Sequence, residues 1–376
     1  MSWLAGDYIL LVGQRLYATM NWAHLHMRTL HEGEQCMVAI DRYSRQTLFG
    51  PIGKEGQERL QESTVTIIGC GALGTALANN LCRAGIGRIV IADRDYIELN
   101  NLQRQILFDE EDITRHLPKA IAAAEKLRRI NSNTTVEPLV EDINTDGIES
   151  LVRDTDLVLD ATDNFETRYL LNDVCVKYGR PWIYSAVVAS YGVTMNIVPG
   201  DTACLRCVFP EMPLPGTTAT CDTAGVLNGI VGAITGVAST EAIKILLKSE
   251  KMSRDMFWMD VWENTSERIE LPRQQECPTC GQHDYEFLDA LGGNSSTSLC
   301  GRNAVQVRTM RRGISLNLAE LAERLRPVGE VSYNDFLLRF YVDSYELTVF
   351  PDARAIIKGT DDEQVAHSVY ARYIGN

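Results

Sequence analysis

Two Cys-x-x-Cys pairs, Cys204/Cys207 and Cys277/Cys280, stand 69 intervening residues apart. Four thiolates in two clips have the spacing of a closed structural zinc site. Such a site forces two distant segments of one domain to a single point. Upstream, Gly69-Cys70-Gly71-Ala72-Leu73-Gly74 follows the apolar run Val65-Thr66-Ile67-Ile68. That order reads as strand, phosphate-binding turn and helix, with Gly69, Gly71 and Gly74 giving the tight turn and the close backbone approach to phosphate. Few folds combine a Rossmann-like nucleotide turn with a zinc clip.

The pattern continues beyond the turn. Strands are expected at Val65–Ile68, Arg88–Ala92, Val136–Leu139, Leu157–Asp160 and Trp182–Ala186, with helices at Gly74–Ala84 and Pro118–Ile130. Alternating strands and helices predict an α/β, doubly wound, mostly parallel sheet, with ligands at the carboxyl ends of its strands. Residues 41–288 form this domain. Residues 289–300 read as a polar linker. Residues 301–376 read as a small α+β module with strands at Ala304–Arg308, Phe336–Val342, Tyr345–Phe350 and Ala355–Lys358, and helices at Asn317–Leu325 and Glu363–Tyr373. Residues 1–40 carry no motif. They read equally as a helical extension or as the product of an upstream start codon, with Met37 the true start.

Charge removes several classes. The net charge is −14, and residues 301–376 balance ten basic against ten acidic residues, so the excess lies in residues 1–300. An acidic surface excludes nucleic acid and anionic membrane as main partners. The longest apolar stretch, Ala224–Leu247, contains Asn228, Thr235, Ser239, Thr240, Glu241 and Lys244, too polar for a membrane span. Ten cysteines, zinc clips and no signal-peptide pattern fit a cytoplasmic protein. Cys70, Cys82 and Cys175 read as buried small hydrophobes.

A glycine turn with Asp93 at the end of the second strand would by itself suggest an NAD-dependent oxidoreductase. Three segments weigh against it: Arg42-Tyr43-Ser44-Arg45-Gln46, Asn100-Asn101-Leu102-Gln103-Arg104-Gln105 and Leu117-Pro118-Lys119. Each is ordinary surface charge taken alone. Together they supply Arg45, Arg104 and Lys119, more positive charge than a dinucleotide's pyrophosphate needs but suited to a triphosphate. Asp163, in Asp160-Ala161-Thr162-Asp163-Asn164, is a hard oxygen ligand for magnesium.

With these segments in this order, the stretch from Arg42 to about Gly281 resembles the ThiF/MoeB/HesA family of ubiquitin-activating-like adenylyltransferases. The resemblance implies ATP-dependent adenylylation of the C-terminal glycine of a ubiquitin-like sulfur carrier ending in Gly-Gly, with release of pyrophosphate. It implies that Asp93 binds ribose, that Arg104 and Lys119 clamp phosphates, that Asp163 holds magnesium, and that Arg45 reaches the partner's ATP in a homodimer. It extends the nucleotide set to Asp95, Asn101, Gln105 and Asn164. Cys221, after the proline-rich segment Pro210–Gly216, matches the position of a reactive cysteine in some members; its alternative is an unreactive loop thiol. No rhodanese pattern follows Cys300, so a separate sulfur donor is implied. A ThiS-type carrier of thiamine thiazole synthesis is the expected substrate, with a MoeB-type activator of the molybdopterin synthase small subunit as the alternative. A carrier-binding scaffold without activity is the third reading, opposed by intact Arg104, Lys119 and Asp163.

Overall fold

Eight strands build the first sheet: β1 (Thr64–Ile68), β2 (Arg88–Ala92), β3 (Thr135–Leu139), β4 (Leu157–Asp160), β5 (Trp182–Val188), β6 (Tyr191–Ile197), β7 (Met256–Asp260) and β8 (Thr265–Ile269). Their order is β3-β2-β1-β4-β5-β6-β7-β8. The computed structural model describes residues 41–145, 147–213, 219–289, 296–299, 303–307 and 316–375. The chain divides into residues 1–44 and residues 45–376, and both sheets belong to the second unit. The expected N-terminal extension, and residues 214–216 of the expected proline-rich segment, lie outside the described residues.

The first half of the sheet is parallel, as its buried apolar strands require: β3–β2, β2–β1, β1–β4 and β4–β5. The second half is antiparallel, from β5 through β8. Strand residues alternate between two cores, as a period of two demands. Val65, Ile67, Ile89, Ile91, Leu157 and Leu159 face one core, which includes helices Ala72–Ala84, Lys119–Ile130 and Asn228–Leu246. Ile68, Ala92, Val158, Trp182 and Tyr184 face the other, which includes helix Phe165–Lys177 and all four clip cysteines. Because β1, β2, β4 and β5 run parallel, Gly69, Asp93, Ala161 and Ala189 gather at one sheet edge.

Helix Asn228–Leu246 is long and apolar enough to cross a membrane by length and composition. It packs against β5, β6 and helix Ala72–Ala84. Its buried Glu241 accepts hydrogen bonds from Asn196 Nδ2 at 2.7 Å and Ser253 N at 2.8 Å. The expected run from Ala224 is broken: Cys221–Ala224 is a separate short helix ended by Gly225 at φ 74°.

The C-terminal module is α+β, as expected. Its strands are β9 (Ser296–Leu299), β10 (Ala304–Val307), β11 (Glu330–Tyr333), β12 (Leu338–Val342), β13 (Tyr345–Val349) and β14 (Ala355–Lys358), in the order β11-β12-β13-β14-β10-β9. Helices Leu318–Leu325 and Glu363–Tyr373, capped by Asn317 and Asp362, pack on this sheet. One boundary differs from the sequence reading. Residues 296–299 of the expected linker form β9, paired with β10, because a ladder is made by backbone groups that Ser and Thr leave intact.

Candidate functional site

The glycine turn divides its labour. A Cβ at Gly69, where φ is +94°, would lie 2.5 Å from the carbonyl oxygen of Ala161; one at Gly74 would lie 2.0 Å from that of Gly69. These two glycines let strand, turn and helix close on one another. At Gly71 the nearest atom would be Gln105 Nε2 at 3.8 Å. Gly71 therefore presents bare backbone at the first turn of helix Ala72–Ala84, where N–H groups lack helical partners.

Asp93 fastens this turn. Its Oδ2 accepts from Cys70 N at 2.5 Å and its Oδ1 from Asp95 N at 2.7 Å. Burial pushes its carboxyl up, and the nearby Lys119 ammonium opposes that shift. Lys119 begins helix Lys119–Ile130; its buried Nζ lies 3.2 Å from Asp95 Oδ2 and its N–H donates to Asp95 O at 2.9 Å. Asp95 thus holds Lys119 beside Asp93. Arg94, between the two acids, pairs with Asp142 at 3.0 Å.

The Asn100–Gln105 segment comes to the same edge. Asn101 is buried and its Oδ1 accepts from Glu98 N at 3.1 Å, which fixes the segment's bend. Arg104 Nη1 donates to Asn100 O at 2.8 Å. Gln105 is buried beside Gly71, and its Oε1 has no hydrogen-bond partner. An orphaned buried acceptor next to bare turn backbone suits a bound nucleotide group.

After β4, Asp160 is fully buried and accepts from Thr162 N at 2.9 Å, Thr162 Oγ1 at 2.6 Å and Arg168 Nε at 3.2 Å. Burial pushes its carboxyl up against the pull of Arg168. This buried pair shapes the loop carrying Asp163, whose charge acts on Arg94 and Arg168. Asn164 Oδ1 caps helix Phe165–Lys177, accepting from Thr167 N at 2.9 Å.

Cys221 opens a short helix near the end of β5. Its half-buried Sγ donates to Val187 O at 3.5 Å. Val226 bridges Ala189, and Gln103 Nε2 donates to Val226 O at 3.5 Å. The loop that follows the reactive-cysteine candidate thus touches the Asn100–Gln105 segment through Val226.

Arg45 is placed elsewhere. The adjacent Gln46 donates to Ala84 O at 2.8 Å. Ala84 ends the 13-residue helix that begins beside Gly71, so Arg45 is held about 20 Å along that helix from its own turn, at 1.5 Å per residue.

Cys204, Cys207, Cys277 and Cys280 converge, with all four Sγ atoms within 4.8 Å of one another. Sγ–Sγ separations are 3.9 Å for 204/207 and 3.5 Å for both 204/277 and 207/280. Zn–S bonds of about 2.3 Å in a tetrahedron put sulfurs about 3.8 Å apart, so the residues fit zinc. Gln274 N donates to Cys207 Sγ at 3.4 Å and Asn172 Nδ2 to Cys204 Sγ at 3.8 Å. Asn172 Oδ1 also accepts from Leu205 N, and Asp173 accepts from Thr279 Oγ1 and Phe287 N. Both clips are thereby bolted to helix Phe165–Lys177, the helix that starts next to Asp163.

Residues 43–279 match the ThiF family. The chain belongs to the ThiF family. It is 44% identical over 337 residues to the "Sulfur carrier protein ThiS adenylyltransferase" of Bacillus subtilis strain 168, covering 89% of this chain and 99% of that one. It is 38% identical over 253 residues to the "SAMP-activating enzyme E1" of Haloferax volcanii, covering 67% of this chain and 93% of that one. Among solved structures, Escherichia coli MccB superposes with a TM-score of 0.58 at 25% identity, covering 65% of this chain and 73% of that one.

Arg94, Asp160 and Arg168 escaped the sequence reading of this ThiF-family site. Arg94 stands between Asp93 and Asp95, and Asp160 opens the Asp-Ala-Thr-Asp-Asn segment, but their pairing with the distant Asp142 and with Arg168 gives no local signal. The structure also gives Asp95 and Asn164 firm local duties, as the partner of Lys119 and as a helix cap.

Proposed function

We propose that this chain adenylylates the C-terminal glycine of a ThiS-type, ubiquitin-like sulfur carrier of thiamine thiazole synthesis. The observation that carries this reading is 44% identity across 99% of the B. subtilis relative of that name. The gathering of Gly71, Asp93, Gln105, Lys119 and Asp163 at one sheet edge supports it.

A glycine carboxylate oxygen attacks the α-phosphorus of ATP; the bond to the bridging oxygen breaks, pyrophosphate leaves and an acyl-adenylate forms. Gly71 admits the phosphates close to backbone, Asp93 receives the ribose hydroxyls, and Lys119 and Arg104 stabilise charge on the phosphoryl oxygens and leaving group. Asp163 would hold magnesium, which neutralises triphosphate charge when bound with ATP. Arg45 serves the other subunit of a homodimer: it is exposed, remote from its own turn, and next to exposed Leu48 and Phe49. Zinc, one per chain, is structural, since four cysteines leave no open position. Sulfur comes from a separate donor.

Carrier-dependent exchange of pyrophosphate into ATP tests the reading. Asp163→Ala should lower exchange by about 10²–10³ with the fold intact, the usual cost of one charge-stabilising group; full exchange by that variant removes the magnesium assignment. Activity with a MoaD-type carrier and none with a ThiS-type carrier would select the MoeB-type alternative. Cys221→Ser should keep exchange, because attack at phosphorus needs positioning and charge neutralisation rather than a thiolate. Any loss should appear in carrier thiocarboxylate, measured by mass spectrometry.

A further inference from the structure

We propose that the C-terminal module is part of the nucleotide site's scaffold, with Arg354 positioning Asp93 through the peptide that joins Arg94 to Asp95. The proposal rests on the reading of Asp93 as the ribose-binding residue.

The module grips two loops at the site. Lys358 pairs with Glu98. Asn334 Nδ2 donates to Arg115 O and His116 O, both at 3.1 Å. Gln306 Nε2 donates to Asp142 Oδ2 at 2.8 Å, and Asp142 pairs with Arg94. Tyr96 packs with Ala304, Leu337, Phe350 and Ile356 of the module. The gripped loops carry Asp95 and lead into Lys119, and Tyr96 bridges Pro118 between them.

Arg354 does something more specific. It is 1% exposed, lies 3.8 Å from the Phe350 ring centroid, and its Nη1 donates to Arg94 O at 2.9 Å. That carbonyl and the N–H of Asp95 belong to one peptide plane. Holding the oxygen end fixes the rotation of the plane, and so aims the N–H end. Asp95 N donates to Asp93 Oδ1 at 2.7 Å, while Asp93 Oδ2 takes Cys70 N of the glycine turn. A continuous line runs from the module's guanidinium through one rigid peptide to the Asp93 carboxylate.

Adhesion alone is a poor reason for Arg354. A buried guanidinium is costly to desolvate unless its donors are used, and here Nε and Nη2 make no hydrogen bond, with Asp352 Oδ2 3.6 Å from Nε and Gln306 Oε1 a long 3.4 Å from Nη1. Lys358, Asn334 and the Tyr96 cluster already attach the module. What Arg354 adds is a fixed orientation for the 94–95 peptide. Without it that peptide can rotate, and Asp93 loses one of the two N–H groups that set its plane.

The test is discrimination between ATP and 2′,3′-dideoxy-ATP in pyrophosphate exchange. Arg354→Met fills the same space without donors. It should raise KM for ATP about tenfold, roughly one charge-assisted hydrogen bond, leave kcat within about twofold, and leave KM for the dideoxy analogue unchanged. Arg354→Lys should recover part of the discrimination. Arg324→Ala is the control: Arg324 binds Tyr373 O and Ile374 O inside the module, and its loss should leave both KM values alone. If Arg354→Met does not fold, Arg354→Gln is read by the same ratio. A folded variant with wild-type discrimination, or with both KM values raised equally, overturns the proposal. Asp93→Asn separates the two readings. If it abolishes discrimination and Arg354→Met does not, Asp93 binds ribose and only the positioning role fails. If Asp93→Asn leaves discrimination intact, the ribose assignment fails and the positioning role with it.

Discussion

A methyl group added at Gly74 would stand 2.0 Å from the Gly69 carbonyl oxygen, whereas one added at Gly71 would meet nothing nearer than 3.8 Å. The two substitutions should therefore separate folding from binding. Gly74→Ala should cost at least about 2 kcal/mol, because the clash is with backbone that cannot yield cheaply; denaturant unfolding measures it. Gly71→Ala should fold with near-wild-type stability and lose ATP affinity, because its methyl occupies the space a phosphate needs. An unstable Gly71→Ala, or a stable Gly74→Ala, would reverse these assignments. Much at this scale was legible in sequence. The turn, Asp93 and Lys119 lie within short motifs whose spacing has a local physical meaning. The link from Arg354 to Arg94 was not, because it joins residues 260 positions apart and rests on a single carbonyl that any residue type could supply.

Among the elements, helix Phe165–Lys177 connects two chemistries. Its first residue follows Asn164 and the Asp163 loop, and its middle residues Asn172 and Asp173 hold both cysteine clips. Loss of metal should thus be felt at the nucleotide edge as well as at the clip. Cys277→Ser should lose stoichiometric zinc and lower the thermal midpoint by roughly 5–10 °C, with KM for ATP rising as the Asp163 loop loosens. Metal analysis alongside calorimetry checks this, and a zinc-free, fully stable variant contradicts the structural role. Strands β1, β2 and β4 were readable because each buries a near-continuous apolar run, and helices Ala72–Ala84 and Lys119–Ile130 because each buries an apolar face; the short helices Glu110–Thr114 and Ile148–Arg153 were not read. The strands β6, β7, β8 and β11 were missed: β8 and β11 expose most of their residues and β7 is mostly half-buried, so pattern gave little to find there, whereas the Tyr-Gly-Val-Thr-Met-Asn-Ile alternation of β6 was legible and overlooked. β9 was taken for linker because Ser-Thr-Ser has a loop's composition.

At the scale of the whole molecule, the proposed trans role of Arg45, an exposed residue next to exposed Leu48 and Phe49, can be tested by complementation. Mixing Arg45→Ala with Asp163→Ala subunits should restore part of the exchange activity, because one hybrid site would have both wild-type residues; zero activity under free subunit exchange removes the trans role. The C-terminal module has a different dependence on its surroundings. The buried guanidinium of Arg354 donates its shortest hydrogen bond to the carbonyl of Arg94, beside weaker partners Gln306 and Asp352 within the module, and Leu337, Phe350 and Ile356 are buried in a cluster that includes Tyr96. Apart from the rest of the chain, the module would lose the shortest acceptor of its buried Arg354 and uncover the apolar face that packs on Tyr96. Its assembly therefore has a direction in time. The nucleotide-binding portion, made earlier at the ribosome than the module, is the surface on which the later strands complete their burial, and strands made later lock loops made earlier in place.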